Sequence, residues 1–308
     1  MIPALTVLII FAQLASDLPA VEREIAAGHY STALSTLEAT PAASRTAAWY
    51  LLASKASDGL NDVRKAVEFA QSAIELEPSN EPAYLQLGQI FLSRNTPEAA
   101  AEIFGEANEL FPGSVLVHLG LGLALKDLER FEQAAAVLTN TLIMKPDLGT
   151  AFDAIGAVYL DDHKYEKLCT VAAQYIERNP GDYRGYYYLA AAKQKLGDAA
   201  AEVQVLVKRS LALNARFAAG HALLGKLMLD NGQDSDAISH LELAIQLRPS
   251  YTPAHMYLVT AYTRAGRRDD AQRAAARLAQ LKQQESQPAP HLVYHRGDPS
   301  KSPSRDHQ

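Results

Sequence analysis

Prolines recur at one spacing along the middle of this chain. Pro78, Pro112, Pro146 and Pro180 each stand 34 residues after the last. Glycines keep the same step at Gly88, Gly122 and Gly156, and small residues keep it at Ala73 and Ala107. Self-similarity at a fixed period of this length marks stacked repeats, each too small to bury a core alone. An interior proline costs a helix ~3 kcal/mol, so a proline in every period marks an element boundary.

The block from Glu81 to Ser114 shows what each period contains. Tyr84, Leu87, Gly88 and Phe91 fall at i, i+3, i+4 and i+7, the stripe of a helix. A polar break follows at Ser93-Arg94-Asn95-Thr96. Thr96 is expected to cap a second helix, with Pro97 at its first position, where a missing N–H does no harm. The second stripe is Ala100, Ile103, Phe104, Ala107 and Leu110, and Pro112 closes it. Helices of ~13–15 residues are marginal alone in water, so each must bury its stripe against the next.

This pattern resembles the tetratricopeptide repeat family: an aromatic, Leu-Gly and an aromatic on the first helix, then Ala, aromatic, Ala and Pro on the second. Here it reads Tyr84, Leu87-Gly88, Phe91, Ala100, Phe104, Ala107 and Pro112. The next block has His118, Leu121-Gly122, Phe131, Ala134 and Pro146, and the third has Phe152, Ile155-Gly156, Tyr165, Ala172 and Pro180. A later block has His221, Leu224-Gly225, Ala237, Ala244 and Pro249. The resemblance implies an all-α, right-handed superhelical solenoid of stacked antiparallel helix pairs. The small residues are expected where the two helices of a hairpin approach closely, so that a larger one would overpack by ~1–3 kcal/mol.

Read in order, the repeats run approximately 18–41, 47–80, 81–114, 115–148, 149–182, 183–217, 218–251 and 252–284. The first is degenerate, and residues 42–46 form a small-residue link. The block from Tyr183 to Phe217 has one extra residue. Counted at the regular step, Glu202 falls where alanine is expected and Asn214 replaces the closing proline, so a local change in stacking is expected there. In the last unit Thr252 is expected to cap and Pro253 to start the helix, with arginines on its final helix suiting a polar terminal cap.

The two ends differ from the array. Residues 1–17 hold an apolar run from Ile2 to Leu14, too short for a comfortable membrane span but of the length of a signal-peptide core. No Lys or Arg precedes it and the cleavage signal is poor. Export to a bacterial periplasm or medium is the expectation, with a cytoplasmic location as the alternative. Membrane contact is expected only through residues 2–14, if they stay uncleaved. Residues 285–308, with their Pro, Ser and charged residues, read as a disordered tail.

Composition narrows the chemistry. A net charge of −6 argues against a nucleic-acid partner, which would require a basic face. The one cysteine, Cys169, reads as a small buried hydrophobe, and Trp49 as a packing residue. Gly120-x-Gly122 lies inside a predicted helix with no preceding strand, so it is no dinucleotide loop. Asp161-Asp162-His163 holds metal-ligating residue types but falls at a turn between helices, where Asp serves as a cap. No catalytic residue, metal ligand or cofactor is expected.

The candidate site is the concave groove. In the family it is lined by fixed positions of the first helices. Carried onto this chain, those positions hold Leu85, Gln89, Leu119, Leu123, Asp153, Arg184, Tyr187, Lys195, Lys226 and Arg264. An apolar middle leads to a partly basic half, suited to an extended peptide with apolar anchors and an acidic end. The charges either meet such a partner or merely solvate the groove. The carboxylate clamp of co-chaperone members is not matched, since Gln89, Leu123 and Ala157 stand where its asparagines would. The expected function is a non-catalytic scaffold that binds a protein or peptide. The alternatives are an exported, envelope-associated assembly factor and an enzyme with an unrecognised site.

Overall fold

The computed structural model describes residues 18–285. The expectations for the apolar segment 1–17 and for the tail beyond 285 lie outside them. Among the described residues the fold is all-α, with sixteen α-helices, one 3-10 turn and no strand. In chain order they run as helix–turn–helix segments: α1 (18–26) and α2 (Tyr30–Glu38), α3 (Ala47–Gly59) and α4 (Val63–Leu76), α5 (Glu81–Ser93) and α6 (Pro97–Leu110), α7 (Val115–Asp127) and α8 (Phe131–Met144). Then come α9 (Gly149–Asp161) and α10 (Tyr165–Arg178), α11 (Tyr183–Leu196) and α12 (Ala200–Leu213), α13 (Ala218–Asp230) and α14 (Asp234–Leu247), α15 (Thr252–Arg264) and α16 (Arg268–Glu285). The expected link 42–46 holds the 3-10 turn Ala42–Ser44.

Every one of the eight turns inside these pairs carries one residue in the left-handed region. They are Gly28, Asn61, Asn95, Glu129, His163, Gly197, Gly232 and Gly266. The turn geometry is therefore constant although glycine supplies only half of it. His163 holds its φ of 58° with its ring nitrogen Nδ1 2.8 Å from the Asp161 carbonyl oxygen.

Capping departs from expectation in two places. Thr96 stands at the N-cap of α6 but makes no capping bond, and its hydroxyl instead donates back to the Phe91 carbonyl at 2.8 Å. Thr252 is the first residue of α15, and Tyr251 is the N-cap. Five helices do have a side-chain cap that accepts from the first turn: Thr46, Asp62, Asn80, Ser114 and Asp182.

The described residues form two compact units, divided between Arg130 and Phe131. In the first, α1 to α3 close over Val21, Leu37, Trp49 and Leu52. The Trp49 indole is buried, and its N–H donates to the Leu37 carbonyl at 2.9 Å. A larger core runs from α4 to α7 through Ile74, Tyr84, Leu87, Phe91 and Ile103. Polar bonds tie neighbouring pairs together at the rims: Arg94 to Asn61 (2.8 Å) and Asp58 (3.0 Å), and the Ser114 hydroxyl to Glu81 (2.6 Å).

The second unit packs more rings and more polar groups. Phe152 stacks on Tyr175 with centroids 3.7 Å apart, and Tyr188 meets Phe152 edge-on. The extra residue of the block 183–217 sits in α11, which has 14 residues where α9 has 13. Gly197, in the left-handed region, then ends it. This corrects the reading of Glu202. With the insertion spent in α11, the second-helix register moves by one. Val203 takes the position equivalent to Ala100, Val207 that of Phe104, and Ser210 that of Ala107, all buried. Glu202 faces out and accepts from Lys193 at 2.8 Å.

Histidine replaces the aromatic residue in the fourth position of three first helices, His118, His221 and His255, and in the last two it makes a polar bond. His221 Nε2 lies 3.0 Å from the Ala215 carbonyl, and His255 Nε2 lies 2.9 Å from that of Pro249. Each bond reaches six residues back, into the turn that joins one pair to the next. The Tyr186 hydroxyl makes the same bond to Pro180 at 3.3 Å.

Candidate protein-interaction groove

In the first unit α3, α5 and α7 present their outer faces to one open hollow of about 360 Å³. Leu85, Gln86, Gln89 and Leu92 of α5 form one wall, and Leu116, Leu119 and Leu123 of α7 form the other. Lys55 of α3 stands at one end. The structure thus brings together four of the sequence-predicted groove residues, Leu85, Gln89, Leu119 and Leu123. Leu116 is 58% exposed, a large apolar side chain left open to water.

The floor of the hollow is Phe104, which belongs to a second helix, α6. Its ring reaches the groove by lying against two glycines. A Cβ built on Gly88 or on Gly120 would overlap it. Gly88 was expected at a close approach within its own pair. Gly120 lies off the Leu-Gly position, so the repeat pattern predicts no close approach there. Its clue was a glycine at the sixth position of a first helix, where the previous repeat has Gln86. Gly122 is buried in α7. Gly225 packs against Leu241 of its own pair, but Gly156 packs against Tyr188 of α11, in the following pair. Ala107 and Ala244 are fully buried, and Pro112, Pro146, Pro180 and Pro249 each follow a second helix.

The predicted groove residues of the second unit have a different fate. Arg184 donates to Asp153 at 2.8 Å and to Asp182 at 3.1 Å, and Gly149 leaves room for its guanidinium. Burial works against the Arg184 charge, yet the two carboxylates outweigh it and raise its pKa. Burial pushes the half-buried Asp153 carboxyl above its usual range, with Arg184 opposing the shift. The Tyr188 hydroxyl donates to the Asp153 carbonyl at 3.0 Å, and the Tyr175 hydroxyl to Asp182 at 2.7 Å. Tyr187 packs edge-on against Phe217 and Tyr188 and hydrogen-bonds to Tyr251. Burial first, and these tyrosines next, push its phenol well above the ordinary range. Lys226 pairs with Asp230 at 2.6 Å, and Arg264 donates to the Leu229 carbonyl at 2.7 Å. Lys195 is exposed in the last turn of α11. The expected basic half is thus largely engaged in internal bonds.

Among the described residues no group of three or more His, Cys, Asp or Glu is placed to hold a metal. Nor, among them, is any helix long and apolar enough to cross a membrane. Cys169 is half-buried, and burial raises its thiol pKa, which leaves it in the protonated, unreactive form.

The repeated geometry has counterparts among known proteins. A family model described as tetratricopeptide repeat matches residues 228–289. The chain thus carries a match to the tetratricopeptide repeat over about a fifth of its length. Its fold resembles that of a tetratricopeptide repeat protein from Parabacteroides merdae, with a TM-score of 0.66 at 14% identity, over 82% of this chain and 98% of that one. A chain of the APC/C hetero-tetramer Cut9–Hcn1 is similar with a TM-score of 0.55 at 16% identity, over 78% of this chain and 48% of that one. Protein FlbA of Caulobacter vibrioides is 26% identical over 151 residues. Those residues are 49% of this chain and 25% of FlbA, so the chain matches a quarter of that relative's length.

Proposed function

We propose that this chain is a tetratricopeptide repeat array serving as a non-catalytic interaction scaffold, and that the hollow of its first unit holds an extended segment of a partner protein. The observation that carries this reading is the contrast in how groove positions are used. The leucines around Phe104 line an open hollow, whereas most charged positions of the second unit are engaged in internal bonds. Apolar surface left open in a groove lined by few polar groups is what a peptide-binding surface requires. The solved Cut9–Hcn1 assembly, whose fold is similar, is itself a complex of proteins.

The test is site-specific photocrosslinking in the native host. A benzophenone side chain at Leu119, in the hollow, is compared with one at Glu102, exposed on α6. Adducts that form from position 119 and vanish when Leu85→Glu is added support the groove. Adducts from position 102 alone would move binding to the second helices. We also propose export, on the strength of the apolar run Ile2 to Leu14. A mature protein that starts after residue ~15–20 supports it by the usual length of such leaders, and an intact Met1 on the functional protein sinks it.

A further inference from the structure

We propose that the hollow recognises a segment in which a bulky apolar residue stands beside an acidic one, with Lys55 taking the carboxylate. This rests on the groove reading above and deepens it to a class of ligand.

Three observations carry it. First, the hollow is built for a side chain. Gly120 contributes nothing where Gln86 stands one repeat earlier, so the floor drops to the Phe104 ring between leucine walls. Second, Lys55 is the charged residue among those lining the hollow. It is half-buried, and it makes no hydrogen bond or ion pair among the described residues. The carboxylate one turn further along α3, Asp58, is held by Arg94 at 3.0 Å. Third, the amides of Gln86 and Gln89 lie along the same wall and can bond the main chain of an extended ligand in either sense.

Electrostatics then selects the neighbour of the apolar residue. A wholly apolar ligand would cover the Lys55 ammonium and strip its water without return, which is unfavourable. A basic ligand would add repulsion. A carboxylate next to the anchoring side chain gives the ammonium a charge-assisted hydrogen bond in a partly dry site. Lys55 stands eight residues into the repeat 47–80, as Gln89 and Leu123 stand in theirs, so the groove positions reach it once they are extended to that repeat.

The experiment is a selection of displayed random twelve-residue peptides on the full chain, on Lys55→Glu and on Leu119→Glu, each shown to be folded by circular dichroism. The expected result is enrichment on the unaltered chain of peptides with Leu, Phe or Met within two residues of Asp or Glu. Lys55→Glu should reverse the preference to Lys or Arg beside the same apolar residue. The best unaltered-chain peptide, made synthetically, should lose about tenfold in affinity on Lys55→Glu, the effect of one charge-assisted contact. Enrichment that is lost on Leu119→Glu but keeps its charge pattern on Lys55→Glu would overturn the acidic part and leave the groove reading standing. Enrichment unaffected by Leu119→Glu, or none on the unaltered chain, would overturn both.

Discussion

The two units meet the same design problem with opposite chemistry. In the first, groove positions are leucine and glutamine, and the pairs are held together by apolar packing beneath them and by rim bonds such as Arg94 to Asp58. In the second, Arg184, Asp153, Asp182 and Tyr188 bond across consecutive pairs on the groove side itself. Equivalent positions in the repeat are therefore open for a ligand in one unit and committed to stability in the other. A charge at a groove position is evidence of a binding site only after its intramolecular partners have been counted.

The comparison can be broken by substitution, and the largest effect is expected at the floor of the hollow. Phe104→Ala removes a buried ring and should destabilise the first unit by ~3–5 kcal/mol, measured by urea unfolding. Gly120→Val should follow at ~1–3 kcal/mol, because any Cβ there overlaps that ring. The two changes should be far from additive, since deleting the ring makes room for the valine. Additive effects would mean that the ring does not sit against Gly120.

Arg184→Ala tests the second unit. It leaves the half-buried Asp153 and Asp182 without their cation and should destabilise by ~1–3 kcal/mol. Peptide binding to the first unit should be unchanged. A large loss of binding with no loss of stability would show that Arg184 serves a ligand after all.

Acid offers a finer probe of the same unit. His221 Nε2–H donates to Ala215, so its Nδ1 accepts, and His240 Nδ1–H must donate across the 3.0 Å between them. Both rings cannot carry a proton on Nδ1 at that distance. Burial first, then His221 and Lys208, lower the His240 pKa from its ordinary 6.5, and Asp236 opposes them. The unfolded chain therefore binds the proton more tightly, so this contribution to stability is complete above pH 6.5 and is lost as pH falls through the lower folded value. Thermal unfolding at pH 7.5 and at pH 5 should show it by difference. His240→Asn, which keeps a donor without the titration, should reduce the acid sensitivity, and an unchanged sensitivity would rule the pair out as its source. The smallest change in stability is expected for Leu116→Ser, within ~0.5 kcal/mol, as for an exposed site. It should nonetheless weaken peptide binding, which would sharpen the contrast with Arg184→Ala.

Much of the fold was legible because its signals are local. Helix starts, turns and closing prolines follow from short-range stripes and breaks, and the period repeats them often enough to average out exceptions. The insertion was legible too, but not its location. Counting from Tyr183 put Glu202 in the core, because the sequence does not say which helix absorbs an extra residue. The structure places it in α11, where Gly197 can end a longer helix, and Val203 then occupies the buried position. The site was legible only in part. Four groove residues gather around one hollow as their repeat positions imply, while Arg184 and Lys226 carry the expected charge but are bonded to carboxylates.

By itself the sequence determined the period, the helix pairs and the apolar character of the groove around Leu85 and Leu119. Those depend on residue type at fixed spacing, which any chain of this pattern must express. Tertiary structure decided that Phe104 floors the hollow through Gly88 and Gly120, that Lys55 ends it without a counter-charge, and that Asp153 and Arg184 satisfy each other. Asp153 and Arg184 lie 31 residues apart, so their pairing depends on how consecutive pairs pack, which no local pattern encodes.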